Sequence, residues 1–264
     1  MVELGLAGRT AVVTGASKGI GRAIAGALAA EGAHVLLVAR GADALDEAID
    51  EILVANGTAV GLVADVTDPM SAAAIVERCL AEFGRLDILV NNAGGSAPKR
   101  LTDLTDDDWW ADLELNFVSA ARLAVACAPV MREAGWGRMI HIGSTSGSRP
   151  DVLFAPYSAA KAALTNLSVS LSVELSGDGV LSNVVVAGIT ETELVQENAA
   201  ASAERAGLSA DEVMTRMLSR TDPPTGRFGT PDEISAAVVF LASEQSSWIT
   251  GSTLTVDGGT LRGV

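Results

Sequence analysis

The sequence predicts a single α/β domain in which a parallel β-sheet of seven strands carries helices on both faces. Short runs rich in Val, Ile and Leu alternate with longer helical stretches from Arg9 to the end of the 264-residue chain. Most of these runs lack the polar alternation of a half-exposed strand, which indicates strands buried on both faces. The sequence has no Pro/Gly/Ser-rich linker and no internal repeat. We therefore treat residues 1–264 as one domain.

The strands are predicted where β-branched and aliphatic residues follow one another between polar or glycine-containing segments. In chain order these runs are Thr10–Thr14, Ala33–Ala39, Thr58–Ala64, Leu86–Asn91, Arg138–Ser144, Val180–Ala187 and Ser252–Val256. Helical stretches separate them at about 19–31, 43–55, 69–83, 106–134, 155–176 and 231–243. Thr105 before three aspartates and Thr230 before Pro231 are typical helix starts.

One segment interrupts this alternation, between the sixth strand and the last helix. Residues 190–228 are rich in Ala, Glu and Ser and contain Asp222-Pro223-Pro224. The pairs Met214/Leu218 and Val213/Met217, each four residues apart, predict one small helix with an apolar face. Such a stripe is usually a core contact. The alternative is a lid, since an insertion after the carboxyl end of a parallel strand lies where ligands bind.

Composition excludes several classes of function. A net charge of −15 repels phosphate backbones, so we expect no nucleic-acid partner. The longest apolar run, 123–131, is nine residues, and the N-terminus does not read as a signal peptide, so we expect no membrane segment and a cytoplasmic protein. Two cysteines, Cys79 and Cys127, and two histidines, His34 and His141, offer little for a disulfide framework or a metal site. We predict that no metal is bound.

A glycine-rich turn follows the first strand directly. It reads Thr14-Gly15-Ala16-Ser17-Lys18-Gly19-Ile20-Gly21 and leads into a helical stretch. Glycines let the backbone turn tightly and approach a pyrophosphate, whose charge is met by free N–H groups at the helix N-terminus. The spacing Gly-x3-Gly-x-Gly differs from the commonest dinucleotide fingerprint, but its place at the first strand–helix junction predicts a dinucleotide site.

Charge at the end of the second strand favours NADP(H) over NAD(H). NAD sites normally place a carboxylate there for the ribose 2′-hydroxyl, whereas this chain reads Val38-Ala39-Arg40-Gly41. Arg40 can bind a 2′-phosphate, with Ser17 and Lys18 nearby in the turn, although it could also be a solvated loop residue. Asp65-Val66, after the third strand, could contact an adenine, or Asp65 could cap the next helix.

A second group of residues suggests proton transfer. Tyr157, the only tyrosine in the chain, and Lys161 stand four residues apart at the start of a helical stretch, and therefore on one face. A nearby ammonium favours the phenolate, so we expect Lys161 to lower the pKa of Tyr157 toward neutrality. Ser144 ends the preceding strand, so its hydroxyl should lie at the same edge of the sheet as the nucleotide.

Four motifs in this order resemble the short-chain dehydrogenase/reductase family, and its 3-oxoacyl-(acyl-carrier-protein) reductases in particular, from about residue 8 to residue 260. They are Thr14–Gly21, Asn91-Asn92-Ala93-Gly94, Tyr157-x3-Lys161, and the pair of segments 227–234 and 251–259. The resemblance implies a Rossmann-type doubly wound domain with strand order 3-2-1-4-5-6-7. It also implies a homotetramer, or a homodimer, with the long helices and the last strand at its contacts.

The resemblance also assigns roles to individual residues. Asn116 would be the catalytic asparagine, Ser144 would orient the substrate oxygen, Tyr157 would be the acid/base, and Lys161 would bind the nicotinamide ribose. Each has a structural alternative, such as Asn116 satisfying backbone groups in a helix kink. The implied cofactor residues are Gly15, Ser17, Lys18, Gly19, Ile20, Gly21, Arg40, Asp65, Val66, Asn92, Ala93, Gly94, Tyr157, Lys161, Gly188, Ile189 and Thr192.

The chain departs from the family pattern after the sixth strand, where Ala187-Gly188 replaces the usual Pro-Gly. The loop is then less restrained, which weakens the assignment of Ile189 and Thr192 to the carboxamide and phosphates.

The expected activity is reduction of a small-molecule ketone to a secondary alcohol with NADPH, the ketone being a 3-oxoacyl thioester or a similar carbonyl compound. An NAD-dependent alcohol dehydrogenase and a non-catalytic nucleotide sensor are the alternatives. Lys99, Arg100 and Arg149 could contact an anionic acyl carrier, although isolated loop cations are more often solvated.

Overall fold

A computed structural model describes residues 3–262 and contains one seven-stranded parallel sheet. Its order is β3-β2-β1-β4-β5-β6-β7, which confirms the predicted doubly wound fold. The strands are β1 (Thr10–Thr14), β2 (His34–Ala39), β3 (Thr58–Val63), β4 (Ile88–Asn91), β5 (Gly137–Ser144), β6 (Val180–Ala187) and β7 (Thr253–Val256). Each predicted strand is found within two residues of its predicted bounds.

Six helices pack on the sheet, three on each face. The helices of the described chain are α1 (Gly19–Ala30), α2 (Ala42–Val54), α3 (Ser71–Phe83), α4 (Asp106–Leu113), α5 (Ser119–Ala134), α6 (Ala155–Leu175), α7 (Glu193–Ala206), α8 (Ala210–Thr221) and α9 (Pro231–Ala242). One core cluster joins α1, α2 and α9 to the sheet, and the other joins α3, α5 and α6. Successive strand residues alternate between the clusters, as with Val12 and Val13 of β1, which explains why the strands are apolar throughout.

The predicted helix 106–134 is continuous but changes its winding. α4 begins with a capping box, in which Thr105 Oγ1 accepts from Asp108 N at 3.3 Å and the Asp108 carboxylate accepts from Thr105 N at 2.7 Å. A π turn at Glu114–Val118 then joins α4 to α5. By length and composition this stretch could span a membrane, since an 18-residue window within it has a mean hydropathy of 1.4. Its inner residues are buried between the sheet, α3 and α6, so it is a core helix of the domain.

The insertion at 190–228 contains two helices, α7 and α8, where the sequence predicted one. Helices α7 and α8 are in contact, and Met214 and Leu218 of α8 line one pocket with Ala199 of α7 and with Phe228, so the predicted stripe faces the rest of the insertion. A backbone bridge between Thr190 and Gly229 closes the insertion at its base. The small helix predicted from the apolar pairs is α8. Helix α7 was not predicted, because it buries only alanines and has no apolar stripe.

Candidate active site

The glycine-rich turn between β1 and α1 leaves the backbone open to a ligand. Gly15 and Gly19 adopt positive φ angles of 63° and 53°, which favour glycine. A Cβ at Gly21 would lie 2.2 Å from the Gly15 carbonyl oxygen, so no side chain fits there. No side chain within residues 3–262 caps the N-terminus of α1. Its first N–H groups are therefore free to bind an anion such as a pyrophosphate.

Asn92, which directly follows strand β4, stabilises this turn by hydrogen bonds. Its side-chain nitrogen donates to the carbonyl oxygens of Thr14 at 2.8 Å and Gly15 at 3.2 Å. The Thr14 hydroxyl in turn accepts from the backbone N–H groups of Asn92 and Ala93, both at 3.0 Å. These bonds fix the carboxyl ends of β1 and β4 relative to each other, at the edge where the nucleotide is expected.

Arg40 lines the cleft together with Ser17 and Lys18. It is exposed, and it forms no ion pair with any residue in the described part of the chain. Lys18 contacts Glu197 of α7 at 3.7 Å, in a pair that is exposed on both sides. The cleft therefore presents two cations, of which Arg40 has no ion-pair partner in the described part of the chain.

Asp65 and Val66 do not line the cleft. The Asp65 carboxylate accepts from the backbone N–H of Thr67 at 2.9 Å and from its hydroxyl at 2.7 Å. These bonds and the charge of Arg40 hold the pKa of Asp65 below its usual value. Asp65 thus stabilises the turn that follows β3. It does not cap α3, whose N-cap residue is Met70, and its contact with an adenine stays a prediction.

Ser144, Tyr157 and Lys161 meet at one point of the cleft. Tyr157 lies in the first turn of α6, and the buried Lys161 follows one turn later. The Lys161 Nζ atom lies 5.6 Å from the centre of the Tyr157 ring and donates to the carbonyl oxygen of Ile142 at 2.8 Å. Ser144 ends β5, and its hydroxyl accepts from the backbone N–H of Ser146 at 3.2 Å. The phenol, the ammonium and the serine hydroxyl all line the same cleft as the glycine turn.

The expected acidification of Tyr157 is wrong for this structure. Burial raises the pKa of the phenol, and the charge of Asp112 raises it further, while the Ser144 hydroxyl acts in the opposite direction. Burial also lowers the pKa of Lys161 to about 8. Desolvation dominates at both groups, because Lys161 Nζ lies 5.6 Å from the centre of the phenol ring and donates to the Ile142 carbonyl oxygen. The phenol is consequently protonated at neutral pH.

Asn116 is buried behind the loop that follows β4, inside the π turn. Its side-chain oxygen accepts from Gly95 N at 2.9 Å, and its nitrogen donates to the carbonyl oxygens of Gly95 and Asp112, both at 3.0 Å. A Cβ at Gly94 would lie 2.7 Å from this oxygen and 3.3 Å from Lys161 Nζ. Asn116 therefore satisfies backbone groups at a helix distortion and supports the cleft without lining it. Its catalytic role stays a prediction.

Residues from the start of the insertion line part of the cleft. Thr192 caps α7 by accepting from Val195 N at 3.3 Å, and it packs against Gly19 of the phosphate turn. Leu194 lies against Gly95, and Glu197 pairs with Lys18. Sequence reasoning assigned only Thr192 to the site, because α7 has too few apolar residues to reveal a helix. These contacts place the start of α7 beside the cleft, and its role as a lid stays a prediction.

The cleft has a volume of about 430 Å³ and brings together most of the predicted residues. Those that line it are Gly15, Ser17, Lys18, Gly19, Ile20, Gly21, Arg40, Asn92, Ala93, Gly94, Ser144, Tyr157, Lys161, Gly188, Ile189 and Thr192. Within residues 3–262 no cluster of His, Cys, Asp or Glu is placed to hold a metal ion. The site is an open groove with a cationic end, a glycine-lined floor and a group of proton-transfer residues.

Comparison with known proteins identifies the family. A family model described as "Enoyl-(Acyl carrier protein) reductase" matches residues 15–260. The chain is 42% identical over 252 residues to the 3-oxoacyl-(acyl-carrier-protein) reductase FabG of Salmonella typhimurium, which covers 96% of this chain and 97% of the relative. The chain belongs to the short-chain dehydrogenase/reductase family. It is thus an oxidoreductase that acts on C=O/CH–OH pairs with NAD(P), and the resemblance seen in the sequence is confirmed.

Other relatives differ in the compounds that their names specify. The chain is 39% identical over 254 residues to the cis-4-hydroxycyclohexanecarboxylate dehydrogenase of Sinomonas cyclohexanicum, which covers 95% of this chain and 96% of the relative. Among solved structures, it matches L-sorbose reductase of Gluconobacter frateurii complexed with NADPH and L-sorbose, with a TM-score of 0.94, 34% identity and full coverage of both chains. It also matches an actinorhodin polyketide ketoreductase variant with NADPH, with a TM-score of 0.90, 32% identity and coverage of 96% and 97%.

Proposed function

We propose that this protein uses NADPH to reduce a ketone to a secondary alcohol and that Tyr157 donates the proton. The observation that carries the proposal is that Ser144, Tyr157 and Lys161 line the same cleft as the glycine turn. This juxtaposition puts a protonated phenol next to the expected place of a nicotinamide ring. A nucleotide-binding protein without catalytic activity would have no need of these three side chains together.

The residues of the cleft fit NADP(H). Gly21 leaves space that any Cβ would fill, and the free N–H groups of α1 suit a pyrophosphate. At the other end, the unpaired Arg40 and the turn residue Lys18 suit a 2′-phosphate, and no carboxylate lines the cleft at the end of β2. Two of the solved relatives described above were complexed with NADPH.

When bound, NADPH supplies the hydride that reduces the ketone carbon. The Ser144 hydroxyl donates a hydrogen bond to the ketone oxygen, and Tyr157 gives its proton to that oxygen as negative charge develops on it. The raised pKa of the phenol keeps this proton available at neutral pH. The buried Lys161 ammonium, fixed by the Ile142 carbonyl, binds the ribose and stabilises the phenolate that remains. Asn116 holds the loop at Gly94 and Gly95 against these groups.

The relatives suggest two classes of ketone as the natural substrate. A 3-oxoacyl thioester is suggested by FabG, and a hydroxylated small ketone by L-sorbose reductase. Of the three cations that could contact an acidic acyl carrier, Lys99 pairs with Asp108 at 2.5 Å. Arg100 and Arg149 are exposed and form no ion pair within residues 3–262, so a carrier-bound thioester stays a candidate substrate.

The test is a panel of ketones incubated with NADPH or with NADH, with oxidation of the cofactor followed by absorbance. We expect turnover of at least one ketone with NADPH and a clear preference for NADPH over NADH. Equal affinity for the two cofactors would contradict the role of Arg40 and favour the NAD-dependent alcohol dehydrogenase. Cofactor binding without turnover of any ketone or alcohol would favour the nucleotide sensor.

We further propose that the protein forms a homotetramer, or a homodimer. Apolar side chains are exposed on two faces, with Val125, Val169 and Val173 on α5 and α6, and Trp248 and Leu254 at or before β7. Two such faces on one chain support two types of contact between copies. Light scattering should give a multiple of the 26.9-kDa chain mass, and a monomeric mass would contradict this proposal. The cytoplasmic location stays a prediction.

A further inference from the structure

Two carboxylates of helix α7 line the cleft that binds the phosphates of the cofactor, and the proposed reaction uses neither of them. Glu193 and Glu197 lie one helical turn apart, and both line the cleft together with the glycine turn and Arg40. Residues four positions apart lie on one face of a helix, so α7 turns an acidic face to the cleft. Phosphates and carboxylates repel each other, so these two residues oppose the binding of the cofactor.

Glu197 pairs with a cation that suits the 2′-phosphate of the cofactor. Its Oε1 atom lies 3.7 Å from Lys18 Nζ. Lys18 belongs to the glycine turn and lines the cleft with Ser17 and Arg40, the other residues that suit a 2′-phosphate. A 2′-phosphate that binds Lys18 therefore has to replace Glu197 or share the ammonium with it. Arg40 forms no ion pair in the described part of the chain, so Glu197 competes for one of the two cations.

Glu193 lies beside the start of α1, where the free N–H groups suit the diphosphate. Its Oε2 atom lies 3.4 Å from the place that a Cβ of Gly19 would take, and Thr192 packs against the same glycine. The one cation of α1, Arg22, is bound to Glu51, with 2.8 Å between Arg22 Nε and Glu51 Oε2. Glu193 itself forms no ion pair within residues 3–262. The diphosphate would therefore meet a carboxylate whose charge no cation of the described chain neutralises.

We infer that Glu193 and Glu197 compete with the phosphates of the cofactor and speed the release of NADP⁺ after each reduction. The inference rests on the proposed reaction, because the oxidised cofactor has to leave before the next molecule of NADPH binds. As the 2′-phosphate leaves Lys18, Glu197 can pair with the ammonium again, which compensates for the contact that is lost. Both carboxylates are exposed, so each effect is moderate and decreases with ionic strength.

The first test uses the difference between the two nicotinamide cofactors. Both NADPH and NADH contain the diphosphate, but only NADPH contains the 2′-phosphate. In Glu193→Gln, we expect the affinity for both cofactors to rise by about two- to fivefold. In Glu197→Gln, only the affinity for NADPH should rise, by about the same factor. Fluorescence titration at low and at high ionic strength measures these affinities, and the gains should be smaller at high ionic strength.

The second test measures release directly. NADP⁺ bound to the protein is displaced by excess NADPH, and the fluorescence of the NADPH that binds is followed by stopped flow. In the variant that carries both Glu193→Gln and Glu197→Gln, the dissociation rate constant of NADP⁺ should be about five- to tenfold lower than in wild type. Glutamine has nearly the size of glutamate, and both positions are exposed, so the variants should fold.

Glu204→Gln is the matched control, since Glu204 is exposed on the same helix but does not line the cleft. It should change neither the affinities nor the rate of release. An unchanged dissociation rate constant in the double variant, or an equal change in Glu204→Gln, would overturn the inference while leaving ketone reduction intact. A wild-type protein that binds neither cofactor, or that reduces no ketone, would instead contradict the proposed function.

Discussion

Acidification should destabilise this protein through His141, a fully buried histidine of β5. Its Nδ1 atom lies 3.1 Å from the Asn91 side-chain nitrogen, and its Nε2 atom lies 3.3 Å from the Ser182 hydroxyl. Because an amide nitrogen only donates, Nδ1 accepts and the ring is the neutral tautomer protonated at Nε2. Ser182 also bonds Ser168 of α6 at 2.9 Å. The network therefore ties the sheet to the helix that carries the proposed proton donor.

The size of the effect follows from the pKa of His141. Burial, assisted by the charge of Lys161, lowers this pKa from 6.5 to about 4. The unfolded chain binds the proton more readily than the folded protein does. The stabilisation is therefore fully present above pH 6.5 and is lost as the pH falls toward 4. With these two pKa values, the free energy of unfolding should fall by about 2 kcal/mol between pH 7 and pH 5.

The assay is urea unfolding followed by circular dichroism at pH 7 and pH 5. Wild type contains other groups that titrate, so the measured quantity is its pH dependence minus that of His141→Gln, which cannot take up this proton. His34→Gln, which removes the other histidine of the chain, is the control and should keep the wild-type dependence. If the free energy of unfolding depended on pH equally in wild type and in His141→Gln, the reasoning would be refuted. His141 would then have the same pKa in the folded and the unfolded chain.

Three further predictions concern the cofactor cleft. Gly21→Ala should abolish NADPH binding, because its Cβ would lie 2.2 Å from a backbone oxygen. In Gly26→Ala, on the same helix, the added Cβ meets nothing within 4 Å, so this variant should raise the free energy of unfolding by up to about 1 kcal/mol. Arg40→Leu should weaken NADPH binding by about tenfold or more and leave NADH binding nearly unchanged. Glu197→Gln should tighten NADPH binding about two- to fivefold, because it frees the lysine of the turn from an exposed ion pair.

Fluorescence titration with both nucleotides measures all these affinities, and thermal unfolding measures the effect at Gly26. Equal binding of NADPH by Gly21→Ala and wild type would contradict the close fit of the turn. A parallel loss of NADPH and NADH binding in Arg40→Leu would place this residue away from the 2′-phosphate. The control for Glu197→Gln is Glu204→Gln on the same helix. The same change in NADPH affinity in both variants would mean that the effect comes from the net charge alone.

The sheet and most of the cleft could be predicted from the sequence because their patterns are local. Uninterrupted runs such as Val180–Ala187 mark strands that are buried on both faces, and the glycine turn marks a place where the backbone itself must contact the ligand. The order of the motifs along the chain was enough to indicate the family. These features depend on residues close in sequence, whose geometry follows from the strand and helix periods.

The remaining features depend on contacts between distant segments. Helix α7 buries only Ala199 and Ala203, so it has no apolar stripe that could reveal either the helix or its place over the cleft. The hydrogen bond from the Ser96 hydroxyl to the Asp112 carboxylate depends on a loop meeting a helix sixteen positions away. The direction of the Tyr157 pKa was predicted wrongly because a spacing of four residues reveals a neighbouring charge but not the loss of solvent.

The central claim is that the Tyr157 hydroxyl supplies the proton for ketone reduction in this cleft. The most direct measurement is the turnover of Tyr157→Phe with NADPH and a ketone that wild type reduces, alongside its affinity for NADPH. We predict a loss of turnover of well over tenfold with an affinity close to that of wild type, because the substitution removes only the transferable proton. Unchanged turnover in Tyr157→Phe would contradict the claim and remove this residue from the mechanism.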